Sequence, residues 1–414
     1  MLELLAPAGN FEKMKTAINF GANAVYMAGK KFGLRAFADN FDLNELKEAV
    51  EYAHNHNVKV YITLNILAHE GDFDGMAEYV KYLDSIGVDA VLVADIGVMT
   101  LVKETAPNLS IHISTQASVL NSLAIKTYAK LGAKRIVLAR ECSIDEIRAL
   151  RKNIPSEIEL EAFVHGAMCI SYSGRCLLSN YLTGRDSNRG ACVQACRWEY
   201  FISEKSRKDD KYQIQEDERG TYILNSKDLN MIEHLKELAD AGVCSFKIEG
   251  RMKSPYYVAN VVNAYRRAID NIDNINEKLM TMLKDELFKT SHRKYTTGFY
   301  FGSDDKECLE SSYPVQSHEY MASVIGDSDG QKVLIEMRNR FKVGDVLEVL
   351  SPNDTFNSQI EVKKMTNLGG EDVLDAKNVQ EQLYLYTDLP LKKFDILRKK
   401  IDWKELNNAQ CVRV

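Results

Sequence analysis

The chain has 414 residues, 45% of them hydrophobic, and a formal net charge of −6. That length can bury a large core and suits two domains, while the acidic balance argues against indiscriminate nucleic-acid binding without excluding a local basic patch. No apolar run is long enough to span a membrane, and the opening MLELLAPAGNFEKMK lacks the basic leader and apolar centre of a signal peptide, so a cytoplasmic protein is expected.

Along the first 270 or so residues, short apolar runs alternate with amphipathic helical stretches. The runs are LELLAPA (2–8), AVYMAG (24–29), KVYITLN (59–65), AVLVAD (90–95), SIHISTQ (110–116), RIVLAR (135–140), IELEAFVHG (158–166) and SFKIEG (245–250). Asp42 precedes Glu45, and Ser143 precedes Glu146, with the spacing of capping boxes at helix starts. Regular strand–helix alternation implies a parallel sheet, and eight strands in this length imply a (β/α)8 barrel, expected over 1–317. A doubly wound open sheet is the other option, but the Gly-rich dinucleotide fingerprint is missing.

Residues 204–221 are charged and nearly devoid of apolar side chains, as in an exposed excursion. Helices are expected at about 252–270 and 275–289, followed by the basic and aromatic loop SHRKYTTGFYFG. From about 318 the period becomes two, in EYMASVI, KVLIEM, DVLEVLS, QIEVKKM and KKFDILRK, so 318–414 reads as a small all-β barrel. Its end carries Lys392, Lys393, Arg398, Lys399 and Lys400, a basic edge that fits either RNA phosphates or a solubilising surface. Two catalytic look-alikes are rejected. GDSDG (326–330) lies between strands, where a nucleophile elbow needs a helix after it, and HEYMA (318–322) lacks the second histidine of a zinc protease.

In a barrel of this type the active site lies at the carboxyl-terminal mouth. Asn65, Asp95, Gln116, Arg140, Glu141, His165, Glu249 and Arg251 fall at or just past strand ends. Glu249, with Lys247 and Arg251 beside it, can serve as a base or orient a substrate, and His165 is a second proton-transfer candidate. Some of these residues will only cap helices or close loops.

Cys169, Cys176, Cys192 and Cys196 lie in one loop, 166–198, after the seventh strand, whereas Cys142, Cys244, Cys308 and Cys411 are scattered. Four thiolates suit an iron–sulfur cluster or a structural zinc. The spacing x6, x15, x3 lacks the short C-x2-C knuckles that zinc prefers, which favours [4Fe–4S] with zinc as the alternative. Four buried core thiols is the plain reading. Arg175, Arg185, Arg189 and Arg197 surround the cysteines with only Asp186 opposing them, a pattern for an anion site or a solvated loop.

The cysteine loop resembles the signature of peptidase family U32 at Glu161, Phe163, Gly166, Ala167, Met168, Cys169, Gly174, Cys176, Leu178 and Ser179. LAPAGNFE, HISTQ, SKDL, FKIEGRMKSPYYV and YTTGFY add to the likeness, and the loop is most similar to the family's tRNA hydroxylation branch. The resemblance implies a barrel with an appended β-domain and an iron–sulfur cluster on Cys169, Cys176, Cys192 and Cys196. It implies an enzyme, a tRNA uridine hydroxylase that makes 5-hydroxyuridine at the wobble position with prephenate as co-substrate. Gln116, Arg175, Arg185, Arg197, Lys247 and Arg251 would then bind tRNA and the dicarboxylate. Other family members are called collagenase-like peptidases, so proteolysis stays open, as does a non-catalytic cluster-bearing scaffold working with a second family subunit.

Overall fold

The computed structural model describes residues 2–33, 40–169, 227–302 and 315–401, together with 176, 178–185, 187, 191–195, 216–217 and 220–221. Eight strands form the first domain: β1 (Glu3–Pro7), β2 (Ala24–Met27), β3 (Lys59–Leu64), β4 (Ala90–Val93), β5 (Ser110–Ile113), β6 (Ala133–Val137), β7 (Glu159–Ala167) and β8 (Ser245–Ile248). Each pairs in parallel with the next, and β8 also pairs in parallel with β1, so the sheet closes into a barrel. The expected (β/α)8 architecture is therefore the one observed. A short strand, Asp228–Asn230, which sequence periodicity did not reveal, adds antiparallel to the end of β7.

Helices α1 (Phe11–Asn19), α2 (Leu43–Asn55), α3 (Met76–Ser85), α4 (Ile96–Thr105), α5 (Ser122–Lys130) and α6 (Ile144–Lys152) fill the first six crossovers. The short α7 (Leu178–Thr183) and α8 (Leu235–Asp240) lie between β7 and β8, and α9 (Pro255–Asp270) and α10 (Glu277–Leu287) follow β8. Both expected capping boxes form. The Asp42 carboxylate accepts from the Glu45 N–H at 2.9 Å while Glu45 accepts from the Asp42 N–H at 2.8 Å, and Ser143 and Glu146 repeat the exchange. Each helix then buries one stripe; in α2 the stripe is Leu46, Ala49, Val50 and Ala53, spaced three and four apart. A leucine or valine buried in this way contributes roughly 1.5–3 kcal/mol. No helix among the described residues is long and apolar enough to cross a membrane.

The second domain is a curled antiparallel sheet built from β9 (His318–Val324), β10 (Lys332–Met337), β11 (Val346–Leu350), β12 (Gln359–Glu361), β13 (Met365–Thr366), β14 (Gln382–Tyr386) and β15 (Ile396–Lys400). Its strand order is β12-β11-β15-β9-β10-β14-β13. Strand β14, QLYLY, was not among the runs read from sequence, although Leu383 and Leu385 alternate inward toward Ile335, Val333 and Leu397. Ser328 sits in the turn between β9 and β10, its hydroxyl accepting from the Gly330 N–H, as expected of a hairpin residue.

The two domains are joined by a buried ion cluster. Arg398 of β15 is fully buried and pairs with Glu286 of α10, with Glu348 at 2.7 Å and with the Asn260 side-chain oxygen of α9 at 2.8 Å. Lys289 completes the cluster at 2.7 Å from Glu348. The carboxy-terminal basic edge is largely spoken for: Arg398 faces inward, Lys399 pairs with Asp345 at 2.8 Å, and Lys392 meets Asp327 at 3.3 Å. Removing one partner of a buried pair leaves the other charge uncompensated, at a cost of about 3–5 kcal/mol. Arg398→Met is therefore expected to lower stability by about that amount in urea unfolding, and adding Glu286→Gln to recover a large part of it. A single variant as stable as the parent would show that the cluster does not anchor the domains.

Candidate active site at the barrel mouth

The barrel interior is charged. Four strands contribute an ionised residue in the middle of an otherwise apolar run: Glu3 of β1, Arg135 of β6, Glu161 of β7 and Lys247 of β8, all nearly or fully buried. Arg135 pairs with Glu3 and, at 3.1 Å, with Glu161, while Lys247 reaches Glu161 at 2.7 Å. The Tyr61 and Ser245 hydroxyls donate to Glu3 at 2.7 and 2.8 Å. Burial works against both carboxylates, yet the cations beside them prevail. Arg135 holds Glu3, and Lys247 with Arg135 holds Glu161, below the ordinary value. His112 stands edge-on to Tyr61 at 4.8 Å, and burial, with Arg135 next in effect, keeps its imidazole neutral.

Above this floor the strands' carboxyl ends enclose a polar cavity. Gln116, Lys247, Glu249 and Arg251 line it together with Asn65, Thr63, Ser114 and Arg140, and Tyr26 and Phe163 form its sides. Arg251 is 3% exposed and donates to Asn40 at 2.6 Å and to Thr63 at 3.5 Å, which fixes its plane. Arg140 lies over the Phe163 ring at 3.9 Å, donates to the Ala167 carbonyl at 2.6 Å and approaches Glu249 at 3.9 Å. The Tyr26 hydroxyl lies 3.5 Å from the same Glu249 oxygen, and Asn65 donates to the Ser114 hydroxyl at 3.1 Å. The arrangement is one carboxylate among three cations and two amides. It can bind a carboxylate or phosphate in a guanidinium fork and move a proton at Glu249.

The β7–β8 junction decides which residues face inward. Lys247 pairs with Phe163 and Ile248 with His165, so β7 has one extra residue here. A bulge of this kind reverses side-chain parity beyond it. Glu161 and Phe163 point into the barrel, but His165 points outward among Tyr257, Tyr265 and Tyr295, with its Nδ1 3.3 Å from the Tyr265 hydroxyl. Burial, aided by Lys253 and His292, pushes its pKa down to about 3. His165 is thus a neutral packing residue away from the cavity. Gly166 follows with φ +107, and a Cβ there would lie 2.6 Å from the Glu249 carbonyl oxygen, so only glycine lets β7 pass this close to the Glu249 backbone.

Of the other strand-end residues, Asp95 caps α4 through the Gly97 and Val98 N–H groups, and Glu141 is not in the cavity. Tyr26, Thr63 and Ser114 were not named as site residues from sequence, and Phe163 entered only through the family signature; what the four share with the buried charges is inward parity. Arg185 is exposed, and Arg175, Arg197 and Cys196 lie outside the described residues. Cys169, just past β7, is exposed, and Cys176 and Cys192 are half-buried. The Gln194 N–H donates to the Cys192 sulfur at 3.3 Å. Cys142 contrasts with these, for burial pushes its thiol up to about 12, as in an inert core cysteine. The loop thiols are chemically suited to a soft metal centre, although among the described residues no three His, Cys, Asp or Glu side chains are gathered into a metal site. Ser187, from the same loop, reaches the cavity wall.

Fold and cavity define a (β/α)8-barrel protein whose site is a cation-lined mouth with Ser187 of the cysteine-bearing loop in its wall. The family models for peptidase family U32 and its C-terminal domain match residues 9–310 and 316–398, so the chain belongs to that family. It is 40% identical over 365 residues to tRNA hydroxylation protein P1 of Bacillus subtilis, spanning 87% of this chain and 86% of that one. It is 35% identical to tRNA hydroxylation protein P of Escherichia coli, over 89% of this chain and 90% of the other. The 23S rRNA 5-hydroxycytidine C2501 synthase of Escherichia coli matches at 40% over 66% of this chain and 40% of its own length.

The carboxylates beneath the cavity make the barrel acid-sensitive. Because Glu3 and Glu161 have folded-state values below the unfolded 4.5, their contribution is complete above 4.5 and is lost as pH falls through the lower values. The melting temperature should therefore fall between about pH 5 and pH 3, and fall less steeply in Glu161→Gln, which starts lower. Equal slopes for the two proteins would remove Glu161 from the account.

Proposed function

We propose that this chain is a tRNA-modifying enzyme that hydroxylates C5 of the wobble uridine to 5-hydroxyuridine, with prephenate as co-substrate. The observation that carries this reading is its likeness, across about nine-tenths of both chains, to a protein named for tRNA hydroxylation. The cavity agrees in its chemistry. Arg251, Arg140 and Lys247 offer cationic partners for a dicarboxylate, and Gln116 and Asn65 offer amides for the edge of a base. An anticodon loop presents its bases unpaired, so the target can enter the mouth without opening a duplex.

In this reading Glu249 moves the proton at the reacting centre, and Arg251, locked by Asn40 and Thr63, orients the anion. Cys169, Cys176, Cys192 and Cys196 would hold a [4Fe–4S] cluster, which would supply electron transfer or a Lewis-acidic iron beside the mouth; zinc there would be structural. Peptidase chemistry finds less support. No histidine or cysteine is among the described residues of the cavity, and the Ser114 hydroxyl is engaged by Asn65 rather than by a base.

Anaerobically purified protein is expected to carry about four irons with matching sulfide; stoichiometric zinc without iron would end the cluster assignment. Mass spectrometry of tRNA nucleosides, in cells whose only copy is a variant, tests the chemistry. Cys192→Ala should abolish 5-hydroxyuridine, and Glu249→Gln should lower its rate of formation by about 10²-fold or more. His165→Phe, outside the cavity, should stay within a few-fold of the parent. Retention of the nucleoside in Cys192→Ala, or its full retention in Glu249→Gln, would overturn the corresponding assignment.

A further inference from the structure

A second cavity, of about 280 Å3, opens between α1 and the C-terminal sheet. Its walls carry three aromatic rings, Phe11, Tyr320 and Phe394, and three cations, Lys15, Arg338 and Lys393, against one carboxylate, Glu12. Every ring has a cation near its face: Lys15 is 4.5 Å from the Phe11 centroid, Arg338 5.8 Å from Tyr320, and Lys393 5.4 Å from Phe394. The volume is close to the ~300 Å3 lower limit for small-ligand sites.

The groove adjoins the mouth. Phe11 opens α1, directly after the carboxyl end of β1, and therefore stands on the active-site side of the barrel. Lys13 donates to the Arg251 carbonyl at 3.5 Å, and a Cβ on Gly9 would lie 2.2 Å from that same oxygen. On the other side Phe11 contacts Phe41 at 6.5 Å, and the adjacent Asn40 holds the Arg251 guanidinium.

Phe394 points to a use for the groove. It sits in a turn closed by the Asp395 N–H to the Lys392 carbonyl at 3.0 Å, with φ +77, where glycine is at ease and a residue with a Cβ is strained. Its ring is half-buried and joins neither of the two apolar cores. A large ring kept in a strained backbone position, outside the core and beside a lysine, is a ligand-facing feature.

We propose that this groove docks a nucleotide of the RNA substrate flanking the one whose base enters the mouth, with its base stacked on Phe394 and its phosphate met by Lys393 and Lys15. The inference rests on the RNA-modifying reading and extends it to a second contact surface. Aromatic stacking with cations along the backbone is how proteins hold single-stranded nucleic acid without reading its sequence.

The test is a fluorescence anisotropy titration of the full-length protein with an end-labelled, unmodified anticodon stem–loop RNA. Phe394→Gly, which removes the ring and relieves the backbone, is expected to raise Kd by about 5- to 100-fold, the effect of losing one base–aromatic stack, with a melting temperature no lower than the parent's. Phe394→Trp should retain parental affinity, and Lys393→Glu should weaken binding and reduce its salt dependence by about one phosphate contact. Unchanged affinity in Phe394→Gly would overturn the groove assignment while the RNA-modifying reading stood. Lower thermal stability in that variant would make the ring a packing residue and overturn it as well. Failure of the parent protein to bind the stem–loop would remove both readings together.

Discussion

The ion cluster inside the barrel is the constraint on which the rest of the site depends. Glu3, Arg135, Glu161 and Lys247 come from β1, β6, β7 and β8, so the cluster spans the seam where β8 closes the sheet between β7 and β1. Charges taken out of water are costly unless each is paired and hydrogen-bonded. Here the buried Glu3 and Glu161 and the more exposed Glu159 face Arg135 and Lys247, and Tyr61 and Ser245 satisfy further oxygen sites on Glu3. Apolar side chains of similar volume could hold a barrel together at least as well. What the ions add is a register, since a one-residue slip of β8 would remove Lys247 from Glu161. Lys247 also lines the cavity, so the cluster that sets the barrel seam places a cation at the base of the mouth.

From that floor upward, backbone geometry chooses what the cavity contains. The extra residue in β7 is the clearest case. Without it, alternation would carry His165 inward after Glu161 and Phe163; with it, His165 turns to the tyrosines of the outer layer, and Glu249 and Arg140 approach across the mouth. Gly166 permits this turn because no side chain fits against the Glu249 carbonyl. Position at a strand end is therefore a weak guide to function until the parity of that strand is known.

This explains what the sequence disclosed and what it withheld. Apolar runs alternating with amphipathic helices, two of them opened by capping boxes, make the eight strands legible, because burial and helix-end hydrogen bonds are local consequences of local residues. Glu249, Arg251 and Gln116 were within reach because each is polar and lies just past a strand end, and Lys247 because it stands beside Glu249 in the sequence. The ion cluster left a signal too, a charged residue in the middle of LELLA, KRIVL, LEAFV and SFKIE, since a charge there must find a partner inside. Which partner it finds depends on barrel closure, which is not local. The bulge at His165 is likewise a relation between two strands and leaves no mark on either alone. The carboxy-terminal basic edge misleads from the opposite direction, because Arg398 lies in a basic stretch yet turns inward to Glu286 and Asn260 of the other domain.

That inward turn bears on how a large substrate could be held. With Arg398 buried and Lys399 and Lys392 paired, the C-terminal sheet offers little unbalanced charge along β15 itself. Its remaining cations next to the barrel, Lys393 and Arg338, lie instead in the groove shared with α1. The cluster around Arg398 fixes β15 against α9 and α10, and Arg338 reaches Glu12 of α1 at 2.7 Å, so the groove walls are tied from both domains. Phe11 of one wall packs near Phe41, and the adjacent Asn40 holds the Arg251 guanidinium of the mouth. A substrate that spans both is then oriented by the barrel and the appended sheet together, which gives the second domain a physical reason to be anchored through buried ions rather than tethered by a linker.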